Sequence, residues 1–401
     1  MPLYYIIPHV FYIVKEMKRH KMKICAIICE YNPFHNGHLY QLSKARELSG
    51  ADFILCLMSG NFVQRGEESI AEKRVRAKHA ILAGADAVLE LPTVFTTSNA
   101  ELFAKGAVHI LSSIPAVKTL CFGAEYAEKT AFLLGAKYLN DEPKEVSEKI
   151  KAGVSKGESY AKARAKAFAG FIPFDLLSSP NNILGLEYTR AILSLGADIQ
   201  ILPIQRVGGN YGENTLLENF SSASAIRQGL LSGENVSNNL PDFVLSDLSN
   251  NTQTSLETLE KYALLARSTA EIKSVPDCTE GLENALKRVA EENAPIESLV
   301  SARYTASRLR RIALQNLLTI DEKLIRESLS SSLYLRVLAI KKNANDLLSL
   351  LSQSAFPLLI RSHDEEMLAP IAKRCYEKDV FAEKTYAILK NVTSKERTAF
   401  I

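Results

Sequence analysis

Residues 23–220 alternate short apolar runs with longer helical stretches, and this alternation restricts the fold more than any other feature. KICAIIC (23–29), DFILCLM (52–58), AVLEL (87–91), VKTLCF (117–122) and DIQILPI (198–204) have strand length and offer apolar residues to both faces. Helical spacing occupies 38–48, 71–82, 100–111 and 186–195. Apolar strands separated by helices describe βαβ units, hence a parallel sheet covered on both faces. Gly-Ala-Asp at 84–86 and at 196–198 stops a helix just before a strand. After Phe220 the strand signals fade. SLETLEKYALLARS, GLENALKRVAEEN, YTASRLRRIALQNLL and EKLIRESLSSSLYLRVLAI all show helical spacing of apolar residues. The loop 205–219, rich in Gly and Asn, separates the two patterns. The expected fold is therefore α/β, a parallel sheet followed by a mostly α-helical region. The expected units are an extension over 1–21, an α/β unit over 22–220 and a helical unit over 221–401.

Composition excludes several classes. The chain has 401 residues and a net charge of +3, too little for the whole molecule to act as a polycation. Charge is nevertheless uneven: residues 221–300 carry 6 basic against 12 acidic side chains, and residues 301–401 carry 17 against 11. The second segment can therefore present a basic face to phosphate. Its ordinary alternative is a solvated helix surface. The 6 cysteines are scattered without CxxC spacing, so neither a zinc site nor a disulfide framework is expected and a reducing cytoplasm fits best. No apolar run reaches the roughly 18 residues of a membrane-spanning helix. Residues 1–21 begin apolar (YYIIPHVFYIV) and turn basic only afterwards, the reverse of a secretory signal. They are expected to be a peripheral extension or a start chosen too early, rather than a membrane anchor.

The chemistry gathers where strands end and helices begin. In EYNPFHNGH, residues 30–38, His35, Gly37 and His38 form an HxGH group between the first strand and the first helix. Free N–H groups at a helix start attract anions, and open α/β sheets bind ligands at their carboxyl edge. Two imidazoles there can stabilise charge that develops at a phosphate. Arg65 of SGNFVQRGE, Gly123 of FGAE, Asn181 and Asn182 of SPNNILGLEY, Arg206 of PIQRVGG, and Ser224 with Arg227 of SSASAIRQGL fall at the same edge. Helix capping and turn formation are their rival roles.

HNGH after the first strand and SSASAIR at a late helix start resemble the HxGH nucleotidylyltransferase superfamily. The ordered set EYNPFHNGH, SGNFVQRGE, GADAVLELP, FGAE, SPNNILGLEY, QRVGGNY, SSASAIR, GLENAL, SARYTASRLRR and LYLRVLAI resembles one branch of it, the tRNA(Met) cytidine acetate ligases. The resemblance runs from Met22 to about residue 340. It implies a Rossmann-like sheet that carries out ATP-dependent formation of acetyl-adenylate from acetate. The acetyl group then passes to the wobble cytidine of elongator tRNA(Met), giving N4-acetylcytidine. ATP is the co-substrate, with magnesium expected beside it. By position, ATP contacts fall on Ile28, Cys29, Glu30, Tyr31, Asn32, Pro33, Phe34, His35, Asn36, Gly37, His38, Leu39, Tyr40 and Gln41. Further contacts fall on Gly123, Asn181, Asn182, Arg206, Ser224 and Arg227, with His35 and His38 catalytic. FGAE replaces a more usual FGSE and removes a hydroxyl beside Gly123. The basic segment with Arg303, Arg308, Arg310 and Arg311 is expected to hold the tRNA backbone in the helical unit. No resident metal and no membrane partner is expected, and nothing in the sequence points to a particular protein partner. Two alternatives stay open: a small-molecule adenylyltransferase of cofactor biosynthesis, which would leave the long helical region unexplained, and a non-catalytic RNA-binding protein on the same fold.

Overall fold

The computed structural model describes residues 21–158, 160–208, 216–248, 254–301, 303–361, 363–393 and 398–401. Residues 1–20 of the expected N-terminal extension and the 209–215 part of the Gly/Asn loop lie outside the described residues. All five expected strands form: β1 (Ile24–Cys29), β2 (Phe53–Ser59), β5 (Ala87–Leu91), β6 (Val117–Ala124) and β7 (Gln200–Gln205). They lie in the order β5-β2-β1-β6-β7 and every neighbouring pair is parallel. β1 is buried at all six positions. Its Ile24, Ala26 and Ile28 enter one apolar core, while Cys25, Ile27 and Cys29 enter the other. This is the two-faced burial that the unbroken apolar runs require.

Five helices bear on the site. They are α1 (Asn36–Ser49), α2 (Lys73–Leu82), α3 (Ala100–Ser112), α4 (Pro180–Leu195) and α5 (Ala223–Ser232). The segment SGNFVQRGE, read as a loop, closes into a small antiparallel hairpin of β3 (Phe62–Val63) and β4 (Glu67–Glu68). Gly123 is a strand residue paired with Ile204, not a turn glycine.

The largest departure from the sequence reading is LYLRVLAI. Its apolar spacing suggested a helix, but it forms β8 (Leu335–Ile340), buried throughout and antiparallel beside β5. A short unbroken apolar run fits a buried strand as well as a helix. Two short strands, β9 (Leu358–Leu359) and β10 (Ala399–Phe400), pair with β8 and complete an eight-stranded sheet. The chain's last third is thus mostly helical but also builds one edge of the sheet. Helix α6 (Ala306–Leu317) bridges two cores: Leu309, Ile312 and Ala313 pack in a small helical core, and Leu314 packs in the sheet's core.

Buried charge ties helix α7 (Pro370–Lys390) to the sheet. Lys73 on α2 sits 2.7 Å from Glu90 of β5 and 3.0 Å from Glu383 of α7. Arg336 of β8 reaches the same two carboxylates at 3.0 and 3.4 Å, and Arg74 reaches Glu383 at 2.6 Å. Burial alone would raise the Glu383 pKa, but Lys73, Arg74 and Arg336 hold it well below the usual carboxylate range. Removing one member of such a cluster leaves the opposite charges buried and uncompensated. Glu383→Ala is expected to lower unfolding stability by about 3–5 kcal/mol, read by urea denaturation. A loss below about 1 kcal/mol, the range of exposed ion pairs, would show that the cluster holds nothing together.

Candidate functional site

The carboxyl ends of β1, β6 and β7, with the β3–β4 hairpin, Phe103 of α3 and the starts of α1, α4 and α5, line a cleft of about 190 Å³. Its shape begins with His35. This residue caps α1, and its Nδ1 accepts the Gly37 N–H at 3.0 Å. His38 returns the contact: its Nδ1 accepts the His35 N–H at 3.3 Å. The two rings stack with centroids 3.7 Å apart. A Cβ at Gly37 would lie 2.8 Å from His35 Cε1, so only glycine admits this arrangement. With Nδ1 accepting, each neutral ring carries its proton on Nε2, a donor suited to a phosphate oxygen.

Burial, then the nearby Arg206, lowers the His35 pKa to about 3. Burial, then His35 and Arg206, lowers that of His38 well below its ordinary value. Both are therefore uncharged hydrogen-bond donors at neutral pH.

Cations supply the charge. Arg206 lies 3.6 Å from Glu125, whose carboxylate also accepts from Asn181 Nδ2 at 2.5 Å and from the Asn182 N–H at 3.2 Å. On the other side Arg227 of α5 donates to the Asn32 carbonyl at 2.8 Å and sits 3.5 Å from Glu67. Ser222 caps α5 by accepting the Ala225 N–H at 3.1 Å, and Ser222, Ala223 and Ser224 line the cleft. Two arginines, two imidazole donors and a capped helix start converge on one space, as an anionic ligand requires.

Of the residues singled out from sequence, Ile28, Cys29, Glu30, Tyr31, Asn32, His35, His38, Gln41, Gly123, Asn181, Arg206, Ser224 and Arg227 line this cleft, as does Arg65. Gly37 and Tyr40 line an adjoining pocket of about 40 Å³. Phe34 is buried beneath, its ring 4.8 Å from that of Tyr31. Pro33 and Leu39 line neither space, and Asn36 spends its amide on the Asn219 and Asn238 carbonyls. Asn182 is fully buried. Its amide accepts the Glu125 and Tyr126 N–H groups and donates to Asp175, which makes it a brace for the FGAE segment.

The arginines of the basic segment are largely engaged within the protein. Arg308 donates to the Asp277 carbonyl and to Thr279. Arg310 pairs with Glu67, and Arg311 lies 3.9 Å from Asp277. Of the four arginines expected to face tRNA, Arg303 is exposed and the other three are half-buried. A Cβ on Gly66 (φ +75°) would lie 2.5 Å from the Arg311 backbone nitrogen. The hairpin and α6 are therefore in direct backbone contact.

Several residues of the site were not among those the motifs singled out. Glu67, beside Arg65 in a quoted motif, is shared by Arg227 and Arg310. Glu125 and Tyr188 also lay within quoted motifs. Phe103, from the outer helix α3, gives no sequence signal that separates it from the core.

The chain matches the family model described as HIGH Nucleotidyl Transferase over residues 22–399. It is 34% identical over 394 residues to the tRNA(Met) cytidine acetate ligase of Clostridium tetani, covering 92% of this chain and 96% of that one. With the enzyme of the same name from Acetivibrio thermocellus it is 35% identical over 401 residues, covering 92% and 95%. Among solved structures, apo Thermotoga maritima TmcAL superposes with a TM-score of 0.86 at 28% identity, covering 95% of this chain and all of that one. TmcAL bound with alpha-thio ATP gives 0.82 at 29% identity, covering 94% and 97%.

The depressed His35 pKa carries a pH signature. An unfolded histidine titrates near 6.5, so below that pH the unfolded chain takes up the proton first. His35 therefore contributes stability that is complete above pH 6.5 and drains away as pH falls from there toward about 3. Imidazole NMR of the ligand-free protein should show His35 still neutral at about pH 5; a midpoint near 6.5 would mean that the ring is not held in the buried cleft.

Proposed function

The chain belongs to the HIGH nucleotidyl transferase family and, within it, to the tRNA(Met) cytidine acetate ligases, and from that premise we propose a reaction for this cleft. The protein is a ligase that uses ATP to acetylate a cytidine of tRNA(Met). The acid is acetate and the target is the wobble cytidine of the elongator species. Acetate displaces diphosphate from ATP to give acetyl-adenylate. The cytidine N4 then takes the acetyl group and AMP leaves.

The observation that carries this reading is the pair of neutral imidazoles beside Arg206, facing Arg227 across a cleft open to the helix start of α5. Nucleotidyl transfer needs positioning and charge neutralisation more than covalent catalysis. Arg206, Arg227 and the N–H groups at residues 222–224 would hold the triphosphate. Nε2 of His35 and of His38 would donate to oxygens that gain charge as diphosphate leaves. Fixed donors of this kind need no rearrangement during the step. Neutral rings also avoid adding two buried charges before the nucleotide arrives.

A magnesium ion would enter with ATP, its ligands drawn mainly from phosphate oxygens and water. No group of three or more His, Cys, Asp or Glu side chains suited to a metal exists among the described residues. In this reading residues 22–220, joined at the cleft by the start of α5 and Arg227, carry the chemistry and the rest of 221–401 holds the tRNA, with the exposed Arg303 one basic side chain able to meet a phosphate. A cytoplasmic location suits a tRNA substrate. Among the described residues, no helix is long and apolar enough to cross a membrane.

Acetate-dependent exchange of diphosphate into ATP tests the first step and separates this reading from both alternatives. Exchange that requires acetate is expected. His38→Ala should slow it by roughly 10²-fold or more, the scale of losing one transition-state donor. Exchange that ignores acetate, or that is unchanged in the variant, would contradict the proposal.

A further inference from the structure

Acetyl transfer to an amine releases a proton, and the cleft must accept it. Most titratable groups lining the cleft are already committed. The Nδ1 atoms of His35 and His38 accept backbone N–H groups, so their free Nε2 atoms carry protons. Glu67 is held by Arg227 and Arg310, and Glu125, which lies outside the cleft lining, is held by Asn181, the Asn182 N–H and Arg206. Burial raises the pKa values of Cys29, Tyr31 and Tyr188, which keeps all three protonated. Arginines do not act as bases at neutral pH.

Glu30 differs. It follows the last residue of β1, and its Oε1 accepts the Gln64 N–H at 2.9 Å. Among the described residues no hydrogen bond reaches Oε2. Glu30 also lines the part of the cleft that the smaller pocket, on the His38 and Arg206 side, does not share. There its neighbours along the wall include Phe103, Phe122 and Tyr188, whose rings meet with centroids 5.9 and 6.4 Å apart. Aromatic walls suit a flat base turned out of an anticodon loop.

We propose that the Glu30 carboxylate is the general base of the second step, taking the proton from cytidine N4 through Oε2. The assignment rests on the acetate-ligase reading above. The N4 lone pair attacks the acetyl carbonyl carbon and a C–N bond forms. The bond from that carbon to the phosphate oxygen breaks, and its electron pair leaves with AMP. The N4 proton passes to Glu30 and later to water. Adenylation releases no such proton, so it makes no demand on this oxygen. Burial raises the pKa of Glu30, against the Gln64 N–H and the cations Arg227, Arg76 and Arg65. That balance favours a base able to hold a proton briefly.

Two rates separate the roles: acetate-dependent diphosphate exchange, and single-turnover transfer from supplied acetyl-adenylate to tRNA(Met). Glu30→Gln retains the acceptor for Gln64 but removes the base. Transfer should fall by about 10²–10⁴-fold, the range for a positioned general base, and by far more than exchange. In the unmodified protein, transfer should also show an acid limb, titrating above the ordinary glutamate range and absent from exchange. That readout holds even if the variant folds poorly. Equal losses in both rates, unchanged transfer in the variant, or no such acid limb would overturn the assignment. Failure of the parent protein to exchange or transfer at all would instead overturn the reading on which it rests.

Discussion

One fully buried arginine sets the floor of the cleft. Arg76 of α2 has no exposed surface, and its guanidinium donates to the carbonyls of Ala71 at 2.9 Å and Ser59 at 3.2 Å, and closely to those of Glu30 and Gly60. The carbonyls of Glu30, Ser59 and Gly60 sit at or beside the carboxyl ends of β1 and β2, where the chain leaves the ladder and its polar groups lose their partners, and that of Ala71 lies just before α2. Unpaired buried carbonyls carry a desolvation cost of roughly 1–3 kcal/mol each, so a single five-donor fork that answers several of them fixes both loops together. Burial lowers the Arg76 pKa, yet a guanidinium is not deprotonated in proteins, so the fork stays cationic. Glu30 and the hairpin that carries Arg65 and Glu67 inherit their positions from this anchor.

The second constraint is that the chain's two parts share structure. β8 extends the sheet that the N-terminal part begins, and the Lys73–Glu90–Arg336–Glu383 cluster joins α2, β5, β8 and α7. At the cleft, Glu67 accepts Arg227 on one side and Arg310 on the other. Arg310 of α6 thus acts as a strut under the hairpin, while Arg308 and Arg311 are held at Asp277. A basic stripe in sequence became an internal brace because Asp277 and Glu67, distant in sequence, face it. Long-range partners of this kind leave no periodic signal.

What was legible follows from the same physics. Each expected strand formed within two residues of its bounds, because two-sided burial imposes an unbroken apolar run. His35, Gly37 and His38 were legible because a helix start after a strand is a local feature with local chemistry. β8 was not, since its apolar run fits either element until β5 offers an open edge. Asn182 looked like a ligand contact, yet its amide was needed to satisfy the Glu125 and Tyr126 N–H groups. Arg76 was hidden in AEKRVRAKHA, where it is one of four basic residues of an expected helix. Only tertiary contact separates a buried cation from an exposed one.

The central claim is that this cleft joins acetate to AMP before the acetyl group moves to cytidine. Acetate labelled with ¹⁸O in both carboxyl oxygens follows that history. Acetyl-adenylate retains both labels, one of them in the bridge between carbon and phosphorus. When N4 displaces AMP, the bridging oxygen departs with the nucleotide. The account predicts AMP carrying one ¹⁸O for each N4-acetylcytidine formed, with unlabelled diphosphate. Acetylated tRNA accompanied by unlabelled AMP, or by label in diphosphate or free phosphate, would contradict it.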